Sequence, residues 1–323
     1  MEEVTLRTFE SLKVRNFRLY IFGQGLSSIG TWVQAIALSW LVLRLTGSGV
    51  GLGTVLAAQF LPVLVLSSYG GVLVDRYSKK MLLIITQVLF GLIALLIGIF
   101  VLDHQINIRL IYIFALLLGI VNSVASPAIQ AFLFEMVGSK YIKNAVTLNT
   151  IMVNLARILG PVFAGFLILF YGVGICFIIN AISFIFVIIA LVLIRNAELI
   201  IENSKKTMAG ILDGFSYILS NSNLKLAIVL IAIIGTFAYE FTVVFPLLAT
   251  KTFDGNAETY SIMMTTLGIG AVLGGVFVAR RKNTIDQNDL LISGLVDNCN
   301  NELALVIKLI DCHPTKNNAP KKR

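Results

Sequence analysis

Eight stretches of twenty or more mostly apolar residues dominate this chain, at about 17–43, 49–74, 81–102, 110–132, 146–170, 173–194, 224–248 and 259–279. Roughly 20 such residues wound into a helix cross about 30 Å of hydrocarbon. Lipid offers backbone groups no partner, and strands would alternate in polarity, so each stretch is expected to be a helix. The expected fold class is an all-α membrane protein. Composition agrees: 57% of residues are hydrophobic and 13% charged, whereas soluble domains carry about 25% charged residues. That excludes a soluble enzyme and an intrinsically disordered chain. The net charge of +8 is scattered between apolar runs, which argues against a nucleic-acid partner and leaves the lipid bilayer as the expected surroundings. The first apolar run is too long for a signal-peptide core and no A-x-A site follows it, so it is expected to be a retained span.

Orientation follows from the basic residues of the loops. With the N-terminus inside, the cytoplasmic segments hold Arg7, Lys13, Arg15, Arg18, Arg76, Lys79, Lys80, Lys140, Lys143, Arg195, Lys205, Lys206, Lys225, Arg280, Arg281 and Lys282. The opposite loops hold only Arg44, Arg109 and Lys251. Links are short except for 195–223, where Met208, Ile211, Phe215, Ile218 and Leu219 recur at helical spacing. That pattern suits an amphipathic helix on the membrane surface and equally a helix packed beneath the bundle.

An internal repeat sets the organisation. Span 2 ends Gly70-Gly71-Val72-Leu73-Val74-Asp75-Arg76, and span 8 ends Gly274-Gly275-Val276-Phe277-Val278-Ala279-Arg280, matching at five of seven positions. The expected domains are a cytoplasmic segment 1–16, a six-helix N-terminal bundle 17–194, a cytoplasmic linker 195–223, and the first two helices of a second bundle, 224–282. A ninth span would fall at 290–310, where Asp297-Asn298-Cys299-Asn300-Asn301-Glu302 stands. Each central Asp costs about 2.5–3.5 kcal/mol to insert, so 283–323 reads as a polar, aberrant tail and the chain as truncated after span 8.

Polar residues are unevenly distributed among the spans. Gln24, Ser27, Ser28, Thr31 and Gln34 form one stripe on span 1; Asn122, Ser126 and Gln130 follow at i+4 on span 4; Thr236, Tyr239 and Glu240 lie on span 7. Spans 3 and 6 are nearly apolar. A polar stripe in hydrocarbon glues helices together or faces a water-filled cavity; stripes on every third helix favour a shared cavity. Two ionisable groups sit deep, Arg157 in span 5 and Glu240 in span 7. They either neutralise each other or work; a desolvated carboxyl titrates upward, which suits Glu240 to carrying a proton. Cys176 reads as a small packing residue. Cys299, Cys312 and His313 in the tail do not make a metal set, two histidines support no catalytic triad, and no cofactor is expected. Gly268-Ile269-Gly270 with Gly274-Gly275 lies within a span, where small residues let helices approach closely.

The loop Gly71-Val72-Leu73-Val74-Asp75-Arg76-Tyr77-Ser78-Lys79-Lys80 resembles the signature G-x-x-x-D-R-x-G-R-K of the major facilitator superfamily, departing at Ser78 and Lys79. Arg157-Ile158-Leu159-Gly160-Pro161-Val162-Phe163-Ala164-Gly165 resembles the fifth-helix motif of its exporters. Asn16-Phe17-Arg18, Ser126-Pro127-Ala128 and Asn180-Ala181 are weaker similarities. The likeness, closest to bacterial drug and siderophore exporters, covers about residues 9–282. It implies two six-helix units with helices 1, 4, 7 and 10 lining a cavity, a gate involving Gly71, Asp75 and Arg76, and a fifth helix bent at Gly160 and Pro161 and packed on the second half.

Together these readings imply a secondary active exporter of small organic molecules, driven by protons through Glu240; the alternative is a non-transporting remnant of such an exporter. The substrate cavity is expected to hold Gln24, Ser28, Thr31, Gln34, Asn122, Ser126 and Tyr239, with Arg157, Gly160 and Pro161 serving conformational change. No G-x-x-x-x-G-K loop is present to bind a nucleotide. The basic-residue asymmetry is testable: in intact cells, a membrane-impermeant thiol reagent should label a cysteine at Gln105 and not one at Ser78. Labelling at Ser78 alone would reverse the topology.

Overall fold

The computed structural model describes residues 10–200, 241–253 and 255–280, and among them it is helical with no strand. The helices are α1 (Arg15–Thr46), α2 (Gly49–Arg76), α3 (Lys79–Leu102), α4 (Ile108–Tyr171), α5 (Val173–Leu193), α6 (Phe241–Lys251) and α7 (Ala257–Arg280), with short 3-10 turns at Glu10–Lys13 and Asn196–Glu198. Five of them, α1 to α5, are long and apolar enough to cross a membrane. The described residues up to 200, together with 241–269, form one compact unit; from Gly270 onward the last turns of α7 belong to a second.

Local chemistry ends each helix where the apolar runs end. Gly47 closes α1 in the left-handed conformation, φ 62°, and its N–H bonds Leu43 O at 2.8 Å. Ser48 caps α2 by accepting from Val50 N at 3.2 Å, Ser78 accepts from Met81 N at the start of α3, and Asn107 accepts from Leu110 N at 3.0 Å at the start of α4.

The link expected at 133–145 is helical instead. α4 is in fact two helices, 108–137 carrying span 4 and 139–171 carrying span 5, joined across a kink at Gly138 (φ 66°, ψ 178°). The helix outlasts the hydrocarbon because this stretch is amphipathic. Leu133, Met136, Val137 and Ala145 are buried with Phe17, Tyr20 and Leu83, while Lys140 and Lys143 are exposed. Only glycine turns the chain there at low cost.

Glycines let two pairs of helices pack closely. A side chain at Gly23 would meet Ala190 Cβ at 2.7 Å, and one at Gly30 would meet Ser183 Oγ at 2.5 Å, so α1 lies close on α5. At Gly70 and Gly119 an added carbon would strike the backbone carbonyls of Ser123 and Gln59, so α2 lies as close on the first arm of α4. α3 packs on α5, and α1 also packs on α4.

Buried apolar residues form two clusters. One gathers Phe17, Tyr20, Leu83, Phe132 and Leu191; the other gathers Ile36, Val42, Ile97, Phe114 and Phe177. Outward faces are apolar too: Leu92, Leu96 and Ile99 of α3 and Ile182, Ile185, Ile189 and Val192 of α5 are exposed. In water so wide an apolar surface would aggregate; in a bilayer it is the solvated face.

The glycines of α2 differ in what surrounds them, since Gly71 has nothing near the position of a Cβ. Gly70→Ala should therefore destabilise the fold by about 1–3 kcal/mol, and Gly71→Ala by less than about 0.5 kcal/mol. Thermal unfolding in detergent reads the difference, and equal losses would contradict the packing described.

Candidate functional site

Between the two apolar clusters, α1 changes character. Over residues 24–34 its inward side chains, Trp32 apart, are polar and open onto a cavity of about 370 Å³, within the range of small-molecule sites. Gln24, Ser28, Thr31 and Gln34 line it from α1, Asn122 from the first arm of α4. Ser126, expected beside them, is exposed and does not line this cavity. Steps of four residues rotate about 40° past a full helical turn, so the span-4 stripe leaves the cavity after Asn122. Tyr239 and Glu240, like the linker helix expected at 208–219 and the tail 283–323, lie outside the described residues.

The structure brings in residues from the two spans read as apolar. Gln87 of α3 and Asn180 of α5 reach the cavity, with Ser39, Gln59 and Trp32. Asn180 Nδ2 donates to Gln34 Oε1 at 2.7 Å, and Ser183 Oγ donates to Asn180 O at 2.7 Å. Gln34, Asn180 and Ser183 are all buried, so these bonds satisfy groups that would be costly to leave unpaired. The signal in the sequence was a lone carboxamide inside an otherwise apolar helix, since such a residue is expensive unless partnered.

Arg157 is buried, and its guanidinium carbon lies 5.0 Å from the centroid of the Trp32 ring. Gly160, one turn on, makes this possible: an added carbon there would overlap Trp32 Cβ. Gly160 and the buried Pro161 thus sit in a close crossing of α4 with α1. The fifth-helix motif was expected to pack on the second half; the glycine that meets α7 is Gly165, where a side chain would come within 2.8 Å of Ser261 Cβ.

At the far end of α2, Gly71 is unobstructed, and Asp75 and Arg76 are exposed. The two lysines that follow reach neighbouring helices. Lys79 pairs with Glu135 of α4 at 3.0 Å. Lys80 Nζ donates to Ile194 O at 2.8 Å and Asn196 Oδ1 at 3.0 Å, capping the C-terminal end of α5, where a cation is favoured. Beside it, Asn16 Nδ2 donates to Arg195 O at 3.0 Å, and Arg195 N–H donates to Asn16 Oδ1 at 3.1 Å. Ile200 N–H donates to Glu135 O at 2.8 Å.

An apolar bundle around a cavity whose described lining mixes carboxamides and hydroxyls with apolar side chains, with a basic loop after α2, has relatives of known class. A family model described as "Transmembrane secretion effector" matches residues 7–311. The chain belongs to this family of the major facilitator superfamily. The staphyloferrin A transporter of Staphylococcus aureus (strain NCTC 8325 / PS 47) is 30% identical over 249 residues, covering 76% of this chain and 62% of that protein. Macrolide efflux protein A of Streptococcus pyogenes is 20% identical over 274 residues, covering 82% and 67%. A bacterial homologue of the human lysosomal transporter Spinster, solved inward-facing and unoccupied, superposes with a TM-score of 0.59 at 13% identity, covering 82% of this chain and 62% of that one. The last likeness shows the fold. The chain therefore spans a little under two thirds of the staphyloferrin A transporter's length. Membership makes it a multi-pass membrane protein of a transporter family, not an enzyme.

The buried pair in this superfamily member can be tested directly. Asn180→Leu strands Gln34 and should cost about 1–3 kcal/mol. Adding Gln34→Leu should restore part of the loss, giving a coupling of about 0.5–3 kcal/mol in thermal unfolding. Strictly additive losses would contradict the bond.

Proposed function

We propose that this chain is a secondary active exporter of small organic molecules, acting in the plasma membrane with its N-terminus in the cytoplasm. The observation that carries this reading is the cavity: about 370 Å³, with polar side chains from α1 to α5 set among apolar ones such as Leu38, Phe90 and Phe184, inside a bundle with an apolar outer face. Polar groups so placed in hydrocarbon are expensive, and a substrate path is the use that repays them. The relatives named as a siderophore transporter and a macrolide efflux protein support the export of small molecules.

The proposed mechanism is alternating access. A first bundle, 17–194, rocks against a second beginning near 224, and opens a shared midplane site to one side at a time. The charged loop supports such motion. Lys79–Glu135 and the Lys80 cap hold the cytoplasmic ends of α3, α4 and α5 as one body, while Asp75 and Arg76 stay exposed for contacts beyond it. Protons are the proposed driving ion, and Glu240 the proposed carrier, because a desolvated carboxyl changes charge near neutral pH.

Efflux from cells expressing the chain tests both parts. Preloaded macrolide or dye should leave faster than from empty-vector cells, with a rate that rises as the external medium is acidified. Glu240→Gln should insert normally and bring the pH-dependent component down to the empty-vector level. Unchanged coupling in that variant would remove Glu240 from the mechanism, and absence of efflux from the parent chain would overturn the transport reading.

A further inference from the structure

The chain leaves α5 along a held path. Asn16, fully buried at the start of α1, meets the backbone of Arg195 as another peptide group would. Its carboxamide donates to Arg195 O at 3.0 Å and accepts from Arg195 N–H at 3.1 Å. Ile194 is buried in the cluster of Phe17 and Phe132, and Leu199 packs against that cluster. Lys80 Nζ, from the loop after α2, donates to Ile194 O at 2.8 Å and Asn196 Oδ1 at 3.0 Å. Residues 194–200 thus form a strap tied to the starts of α1 and α3.

The strap ends in a seat made by the kink in α4. Glu135 lies in the last turn before Gly138, where a helix end leaves carbonyls to find partners elsewhere. Its carbonyl accepts from Ile200 N–H at 2.8 Å. Gly138 supplies the room: its φ of 66° suits glycine, and an added carbon there would meet Ile200 Cδ1 at 2.6 Å. The Glu135 side chain meanwhile pairs with Lys79 at 3.0 Å. Both lysines of the loop are therefore tied to the strap, Lys80 directly and Lys79 through Glu135. Freeing the strap withdraws support from both, and by linkage a displaced loop weakens the strap.

We propose that residues 194–200 are a docking strap that controls the order of the loop carrying Asp75 and Arg76. Seated on Asn16 and Gly138, it holds Lys79 and Lys80 in place; unseated, it releases them together. Asn16 is here a positioning residue, acting on the loop through the strap. The role of the strap in transport rests on the alternating-access reading above, which it deepens.

Amide hydrogen exchange of the full-length chain in nanodiscs tests this. Asn16→Leu removes both bonds to Arg195, and exchange over 194–200 should rise about tenfold. The decisive readout is residues 77–82, which the substitution does not alter. Their exchange should rise about threefold, while residues 92–101 in the middle of α3 stay unchanged. Ile200→Pro leaves the buried Asn16 in place, removes the donor to Glu135 O, and follows an extended Leu199 that accommodates proline. It should produce the same two rises. In exporting cells both variants should lower the maximal export rate about tenfold at an unchanged half-saturating concentration. Strap amides that exchange in the parent as fast as an unfolded peptide would overturn the docking. Loop exchange that stays at the parent level in both variants, or rises only together with 92–101, would overturn the coupling. Variants that loosen strap and loop yet export at the parent rate would overturn the role in transport. A parent chain that exports nothing would overturn the transport reading alone, with the coupling decided by exchange.

Discussion

Helices in hydrocarbon gain nothing from hiding apolar side chains from one another, because lipid is as apolar as they are. What holds this bundle is close contact between backbones, and glycine permits it. Gly23 and Gly30 bring α1 onto α5, and Gly70 and Gly119 bring α2 onto α4. These contacts fix the rotation of α1 and α4 about their own axes. Once Gly23 and Gly30 face α5, the stripe Gln24, Ser28, Thr31 must face inward, and the cavity follows from the packing.

The bundle sorts its polar groups by depth. Among the described residues, the ion pairs Lys79–Glu135 and Arg195–Glu198 and the Lys80 cap on α5 lie at helix ends. The middle uses neutral groups bonded to one another, as in Gln34–Asn180–Ser183. Buried neutral hydrogen bonds avoid the desolvation penalty of buried ion pairs. Arg157 is the described exception, and it lies stacked on an aromatic ring.

How much of this was legible in the sequence depends on how many residues carry each signal. Spans 1 to 6 were, because each is written over twenty positions, and the starts of α2, α3 and α4 fall at the capping residues Ser48, Ser78 and Asn107. The helical form of 133–145 on either side of the kink at Gly138 was not: hydropathy marks apolar runs, whereas this stretch is amphipathic. The α1 face of the cavity was legible as a stripe. Gln87 and Asn180 were not, since one carboxamide in an apolar helix makes no periodic pattern and its partner is 146 residues away for Asn180. Ser126 was read into the cavity by spacing alone, and the helical rotation carries it out. Gly160 and Gly165 lie in one motif yet face different neighbours, Trp32 and Ser261, which depends on tertiary packing.

The central claim is that residues 24–34 of α1 and Asn122 of α4 face a water-accessible cavity inside the bundle. Single cysteines at Thr31 and Asn122, in a chain whose own three cysteines are replaced by alanine, test it most directly. A small charged methanethiosulfonate reagent should modify both, and should leave a cysteine at Phe166, on the apolar exterior of α4, unmodified. Protection at Thr31 and Asn122 to the level seen at Phe166 would mean that the polar stripe binds helices together and that there is no cavity for a substrate to enter.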